Sequence, residues 1–133
     1  MTEADERMED RKPAVLIVDD EPSICDLLAE VLDEQGYHCE TAGNAVEALV
    51  KLKERTFELA LLDYKMPGMS GMDLLTAIAE SYPNTTTIMV TAVNEASAAV
   101  EALRRGARAY ILKPFTLDEI REQVATIVKG ETS

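Results

Sequence analysis

A short apolar run followed by an amphipathic helical stripe recurs five times between residues 14 and 128. Runs that are apolar on both faces suit strands covered on both sides, as in a parallel sheet. Alternation of such strands with helices predicts an α/β fold with helices on both faces of the sheet. Strands are expected at 14–18, 37–41, 58–62, 86–90 and 108–112. The first helix opens at Pro22, a residue tolerated in a first turn, and carries Ile24, Leu27, Leu28, Val31 and Leu32 at i, i+3, i+4, i+7 and i+8. Gly36 suits its C-terminal end. Asn44 is a fitting N-cap for a second helix running to about Glu54, with Val46, Leu49 and Val50 expected inward. A third helix is expected over 72–81, broken by Pro83, and an alanine-rich fourth over 94–105, stopped by Gly106. Thr116 suits the cap of a fifth, whose stripe is Leu117, Ile120, Val124, Ile127 and Val128. Right-handed crossovers leave two strand orders, the flavodoxin-like 2-1-3-4-5 and a Rossmann half. The alternation of residues 37–41 suits an edge strand and favours a doubly wound sheet of order 2-1-3-4-5.

Length and charge narrow the function. The 133 residues suit one domain. The domain is expected over 13–130, with a charged, solvated tail at 1–12 and a short one at 131–133. Twenty-five acids against 13 bases give a net charge of −12. That balance argues against nucleic acid and against anionic lipid as direct partners. The longest apolar runs are far short of the roughly 20 residues that span a bilayer. Two cysteines, Cys25 and Cys39, make neither a disulfide framework nor a metal spacing, and a cytoplasmic location is expected.

In open α/β sheets ligands bind beyond the carboxyl ends of the strands. Here those ends carry Asp19-Asp20-Glu21, Asp63, Thr91 and Lys113. In the order 2-1-3-4-5, strands one and three are neighbours, so their carboxylates converge. Clustered carboxylates repel unless a counter-charge is present. An all-oxygen donor set points to a hard cation, and few protein ligands plus water suit Mg²⁺. Lys113 adds a second positive charge and Thr91 a hydroxyl. A cation, an ammonium and a hydroxyl around one carboxylate make a phosphoryl-binding arrangement, with Asp63 able to act as nucleophile. Each residue has a plainer reading taken alone. Asp20 and Thr91 are fitting helix caps, and a lysine before proline is ordinarily surface. Their joint placement at adjacent strand ends is what those readings leave unexplained.

These residues carry a family resemblance. Val18-Asp19-Asp20-Glu21, Leu62-Asp63 with Met66-Pro67-Gly68-Met69-Ser70-Gly71, Val90-Thr91-Ala92, and Tyr110-Ile-Leu-Lys113-Pro114-Phe115 stand in the order and spacing of the response-regulator receiver domain of two-component signalling. The resemblance covers about residues 13–129. It implies that Asp63 is the phosphoacceptor, that Asp20 binds Mg²⁺ directly and Asp19 largely through water, and that the Lys65 backbone carbonyl completes the protein ligands. It implies that Thr91 bonds the phosphoryl group, that Lys113 pairs with it, and that small Ala92 leaves it room. It also implies a cis Lys113–Pro114 bond, and Tyr110 as a rotating aromatic that reports the state of Thr91. The implied donor is a histidine kinase or a histidine phosphotransfer protein. The implied output is a change in the face formed by helix four, strand five and helix five, for an output domain, an effector or a dimer.

Two other readings compete. A haloacid-dehalogenase-type phosphatase also forms an aspartyl phosphate with Mg²⁺, but it needs an acid two residues after the nucleophile, where Lys65 stands. A receiver used only for binding, never phosphorylated, is the second. An FMN-binding flavodoxin is opposed by the acidic turn after strand one. Within the family, the paired acids that precede the strand-five aromatic in many dimeric regulators are absent from Gly106-Ala-Arg-Ala-Tyr110. Lys65 and Val93 stand where the family tunes aspartyl-phosphate lifetime, and an apolar Val93 is expected to lengthen it. Met66, Met69 and Met72 read as gap-filling residues around the loop after strand three. Arg104, Arg105 and Arg108 form a basic cluster, read as a solvated helix end or as a contact for an acidic partner. The chain stops soon after the fifth helix. It is expected to be either a stand-alone receiver or the N-terminal part of a longer regulator.

Overall fold

A computed structural model of the protein describes residues 12–129, except for the side chains of Val93 and Ala96. Five strands form one sheet: β1 (Ala14–Val18), β2 (His38–Ala42), β3 (Leu59–Asp63), β4 (Thr86–Ala92) and β5 (Ala109–Lys113). Their order is β2-β1-β3-β4-β5 and every pairing is parallel. The connecting helices are α1 (Pro22–Glu34), α2 (Ala45–Glu54), α3 (Gly71–Ser81), α4 (Ala96–Arg104) and α5 (Leu117–Val128), with a 3-10 turn (Val93–Glu95) before α4. The expected α/β fold and strand order are both present. The expected tails fall outside the described residues, apart from Lys12.

The two sheet faces carry separate cores. Val15, Ile17, Leu59, Leu61 and Ile111 pack with Cys25, Leu28 and Leu32 of α1 and Ile120 and Val124 of α5. Leu16, Val18, Ala60, Leu62 and Met89 pack on the other face against α2, α3 and α4. Side chains two apart along a strand share a face, so the continuous apolar runs of β1 and β3 feed both cores. A fully buried leucine such as Leu16 or Leu62 contributes about 1.5–3 kcal/mol.

Local chemistry sets the helix ends. Asn44 accepts the Glu47 amide (2.8 Å) and Ser70 the Asp73 amide (3.1 Å). Thr116 and Glu119 form a reciprocal capping box. Gly36 and Gly106 stand just beyond α1 and α4 with φ of +96° and +117°, a region that favours glycine.

The inward face of α2 differs from the expectation. In α2 the buried residues are Ala45, Ala48 and Leu52, with Leu49 half-buried against the same core as expected, while Val46 and Val50 face solvent at 67% and 50% exposure. In α4 the buried residues are Ala98, Ala99 and Ala102, while Val100 and Leu103 stand exposed. Small side chains let a helix approach the sheet closely, so the contact face is set by alanines and not by the larger residues. The edge strand β2 is tied to α2 through Glu40, which lies 2.9 Å from His38 Nε2, 3.2 Å from Arg55 Nη1 and 3.7 Å from Lys51 Nζ. No helix among the described residues is long and apolar enough to cross a membrane.

Candidate functional site

Strands β1 and β3 are neighbours, and their carboxyl ends bring Asp19 and Asp63 together. Asp63 is the last residue of β3 and only 6% exposed. Asp19 follows β1, with its amide donating to the Ala42 carbonyl (3.1 Å) and its Oδ1 accepting the Glu21 amide (2.9 Å). Asp20 is exposed beside them. Oxygens of Asp19, Asp20 and Asp63 all lie within 4.8 Å of one another. The N-cap of α1 is Glu21, which makes no side-chain capping bond, so Asp20 is not engaged as a cap.

Lys113 closes the group from the end of β5. Its Nζ lies 3.2 Å from Asp63 Oδ1 and 3.8 Å from Asp19 Oδ2. Thr91, on β4 between β3 and β5, is 1% exposed, and its Oγ1 has no hydrogen-bond partner among the described residues. An unpartnered buried hydroxyl costs about 1–3 kcal/mol. Thr91 is not a helix cap either, since α4 begins after Glu95. A cavity of about 370 Å³ opens here, lined by Asp20, Asp63, Thr91 and Lys113 together with Lys65 and Glu95. Ala92 also lines it, its methyl taking little of the space.

The electrostatics follow from burial and crowding. Desolvation and then the charge of Asp19 push the Asp63 carboxyl up from 3.8 to about 6, against the pull of Lys113. Burial likewise raises the Asp19 carboxyl, opposed by the Glu21 amide and Lys113. Burial draws the Lys113 ammonium down, but Asp63 and Asp19 outweigh it and the net shift is upward. Three crowded carboxylates facing one ammonium leave an excess of negative charge. The donor set is all oxygen, so the arrangement fits a hard divalent cation.

Loop geometry holds Asp63 in place. The Tyr64 amide donates to the Val90 carbonyl (2.9 Å) and the Gly71 amide to the Tyr64 carbonyl (3.2 Å). A Cβ on Gly71 would collide with the Asp63 carbonyl, so only glycine admits this approach. The Lys113–Pro114 bond is cis, as expected. Tyr110 pairs in register with Met89, two residues before Thr91 on β4, so Tyr110 and Thr91 share a sheet face. Tyr110 stands outward at 38% exposure. The side chain of Lys65 points to Glu95 (Nζ to Oε1, 3.0 Å) and is largely exposed. The expectation for Val93 concerns a side chain outside the described residues.

The remaining sequence features lie elsewhere. Cys25 is buried and donates to the Asp19 carbonyl (3.3 Å), and burial pushes both its thiol and that of Cys39 up to about 11. Met66 and Met72 are packed in the core on the α2–α4 side, whereas Met69 is exposed. Two features of the site had no role in the sequence reading: the close approach of Gly71 and the Lys65–Glu95 pair. A close backbone approach leaves a glycine as its only trace, and an ion pair across 30 residues leaves none.

Comparison with known proteins agrees with this geometry. The sequence profile described as "Response regulator receiver domain" matches residues 15–125. Response regulator protein PilR of Pseudomonas aeruginosa is 39% identical over 114 residues, which are 86% of this chain and 26% of that protein. Sporulation initiation phosphotransferase F of Bacillus subtilis is 40% identical over 111 residues, covering 83% of this chain and 89% of that one. A CheY-like response regulator receiver domain protein of Methanospirillum hungatei JF-1 superimposes with a TM-score of 0.85 at 35% identity, covering 90% of this chain and 96% of that one. The chain spans about a quarter of the length of the first curated relatives it matches. Neither the family match nor the lysine two residues after Asp63 favours the phosphatase alternative. By its fold, by the residues at its strand ends and by these likenesses, the chain belongs to the response regulator receiver domain family of two-component phosphorelay signalling.

Proposed function

We propose that Asp63 accepts a phosphoryl group from a phosphohistidine of a sensor kinase or a histidine phosphotransfer protein. The observation that carries this reading is the unpartnered Thr91 hydroxyl, buried in the same cavity as the Asp63–Lys113 pair. An Asp63 oxygen attacks phosphorus, the P–N bond breaks as the P–O bond forms, and the imidazole leaves with the electron pair and takes a proton. Asp19, Asp20, Asp63 and the Lys65 carbonyl would hold Mg²⁺, which supplies positive charge against the phosphoryl oxygens when bound. Lys113 orients the Asp63 carboxylate and then pairs with the phosphoryl group. Thr91 donates its hydroxyl proton to a phosphoryl oxygen. Ala92 leaves that group room.

The added charge biases a two-state element. Movement of Thr91 toward the phosphoryl group vacates space on the face it shares with Tyr110, and the Tyr110 ring turns inward. The α4–β5–α5 face then changes for an output domain, an effector or a second copy. The unit that does this is residues 13–130. A cytoplasmic location belongs to the same reading, and both cysteines are free thiols, as suits a reducing compartment. The protein is a phosphoacceptor that does not turn over a separate substrate.

The test is incubation with a small-molecule phosphodonor, followed by intact-mass measurement. One phosphoryl group is expected with Mg²⁺, and none in EDTA or in Asp63→Asn. Labelling that survives Asp63→Asn would overturn the reading. A wild type that takes no label would leave the binding-only module in its place.

A further inference from the structure

The Lys65–Glu95 pair joins the segments that follow the neighbouring strands β3 and β4. Lys65 lies in the loop between β3 and α3, two residues beyond Asp63. Glu95 ends the 3-10 turn and is the N-cap residue of α4, with no capping hydrogen bond from its side chain. Their 3.0 Å contact bridges the cavity that holds Asp63 and Thr91, and both residues line that cavity. The Glu95 side chain is only 24% exposed and lines the cavity in which the phosphoryl group would sit. Lys65 is what neutralises it there.

Phosphorylation strengthens the pull on one partner and the push on the other. An aspartyl phosphate carries about two negative charges where the Asp63 carboxylate carried one. The added charge attracts Lys65 and repels Glu95, so the two forces on the pair act in opposite directions. A freed Glu95 carboxylate has a ready alternative at the N-terminus of α4, where the helix dipole favours a negative group. We propose that the Lys65–Glu95 ion pair is an electrostatic latch across the cavity mouth, opened by phosphorylation as Lys65 exchanges Glu95 for the phosphoryl group and the turn into α4 is released. Lys65 and Glu95 are thus positioning residues. They link the site to α4 by a route separate from Thr91 and Tyr110. The latch rests on Asp63 being the phosphoacceptor.

The probe is beryllofluoride with Mg²⁺, a phosphoryl stand-in that binds an aspartate carboxylate. Its dissociation constant is measured by NMR for the wild type, Glu95→Gln, Lys65→Met and the double variant. The latch predicts that Glu95→Gln binds about threefold more tightly than wild type, and that the same substitution has a clearly smaller effect once Lys65 is methionine. It also predicts that the amide peaks of α4 in probe-free Glu95→Gln move from their wild-type positions toward those of the loaded wild type. Effects that multiply independently across the four proteins would overturn the latch, because Glu95 would then act on the anion directly. Unmoved α4 peaks in Glu95→Gln would overturn it as well. Binding that persists in Asp63→Asn would instead overturn the phosphoacceptor reading beneath it.

Discussion

Replacing Asp63 by asparagine in the metal-free protein is expected to stabilise the fold at neutral pH. Asp63 is 6% exposed, and its oxygens are crowded by those of Asp19 and Asp20 within 4.8 Å. Burial and this crowding push its carboxyl from 3.8 to about 6. An acid whose folded pKa is raised binds more protons folded than unfolded between the two values. Stability therefore falls as pH rises from about 4 to about 6, and the penalty is fully present above that. A rise of that size corresponds to about 3 kcal/mol. That figure already includes the pull of Lys113, which lies 3.2 Å from Asp63 and keeps Asp19 at 3.8 Å when asparagine removes the charge. The net gain at pH 7 is then about 1–3 kcal/mol, or a rise of several degrees in Tm for a domain of this size. The assay is thermal unfolding in EDTA from pH 4 to 8, followed by circular dichroism because the chain has no tryptophan. The advantage of the variant should vanish near pH 4. Added Mg²⁺ should raise the wild type more than the variant. A variant no more stable than wild type at pH 7, or one whose advantage is the same at pH 4, would refute this electrostatic account.

Two further substitutions probe the site from other directions. Thr91→Val keeps the volume and removes the unpartnered buried hydroxyl, so stability should rise by about 1 kcal/mol while phosphoryl uptake falls, read by thermal melts and by mass. Gly71→Ala places a methyl group against the Asp63 carbonyl, and a loss of about 1–3 kcal/mol with slower phosphorylation is expected in the same two measurements.

The parts of this protein that were legible in its sequence are those governed by short-range rules. β1 and β3 read clearly because strands covered on both faces must be apolar at every position, as Ala14–Val18 and Leu59–Leu62 are. The site residues read clearly because parallel strands all end on one side, so Asp19, Asp63, Thr91 and Lys113 had to converge once the order was fixed. Helix faces read less well. Counting large apolar residues put Val46 and Val50 inward, whereas the close packing of α2 and α4 on the sheet selects Ala45, Ala48, Ala98 and Ala102. Gly71 carried no sign of its role, because a steric limit set by the Asp63 carbonyl is a tertiary fact. The Lys65–Glu95 pair depends on where two loops meet above the sheet, which no local pattern encodes.

The central claim is that Asp63 alone carries the phosphoryl group. Borohydride reduces an aspartyl phosphate to homoserine, so phosphodonor treatment with Mg²⁺, reduction and peptide mass spectrometry locate the acceptor directly. The account predicts homoserine at position 63 and at no other acid, Asp19 and Asp20 included. Homoserine at Asp19 or Asp20, or its absence from position 63 in protein that has gained the phosphoryl mass, would contradict it.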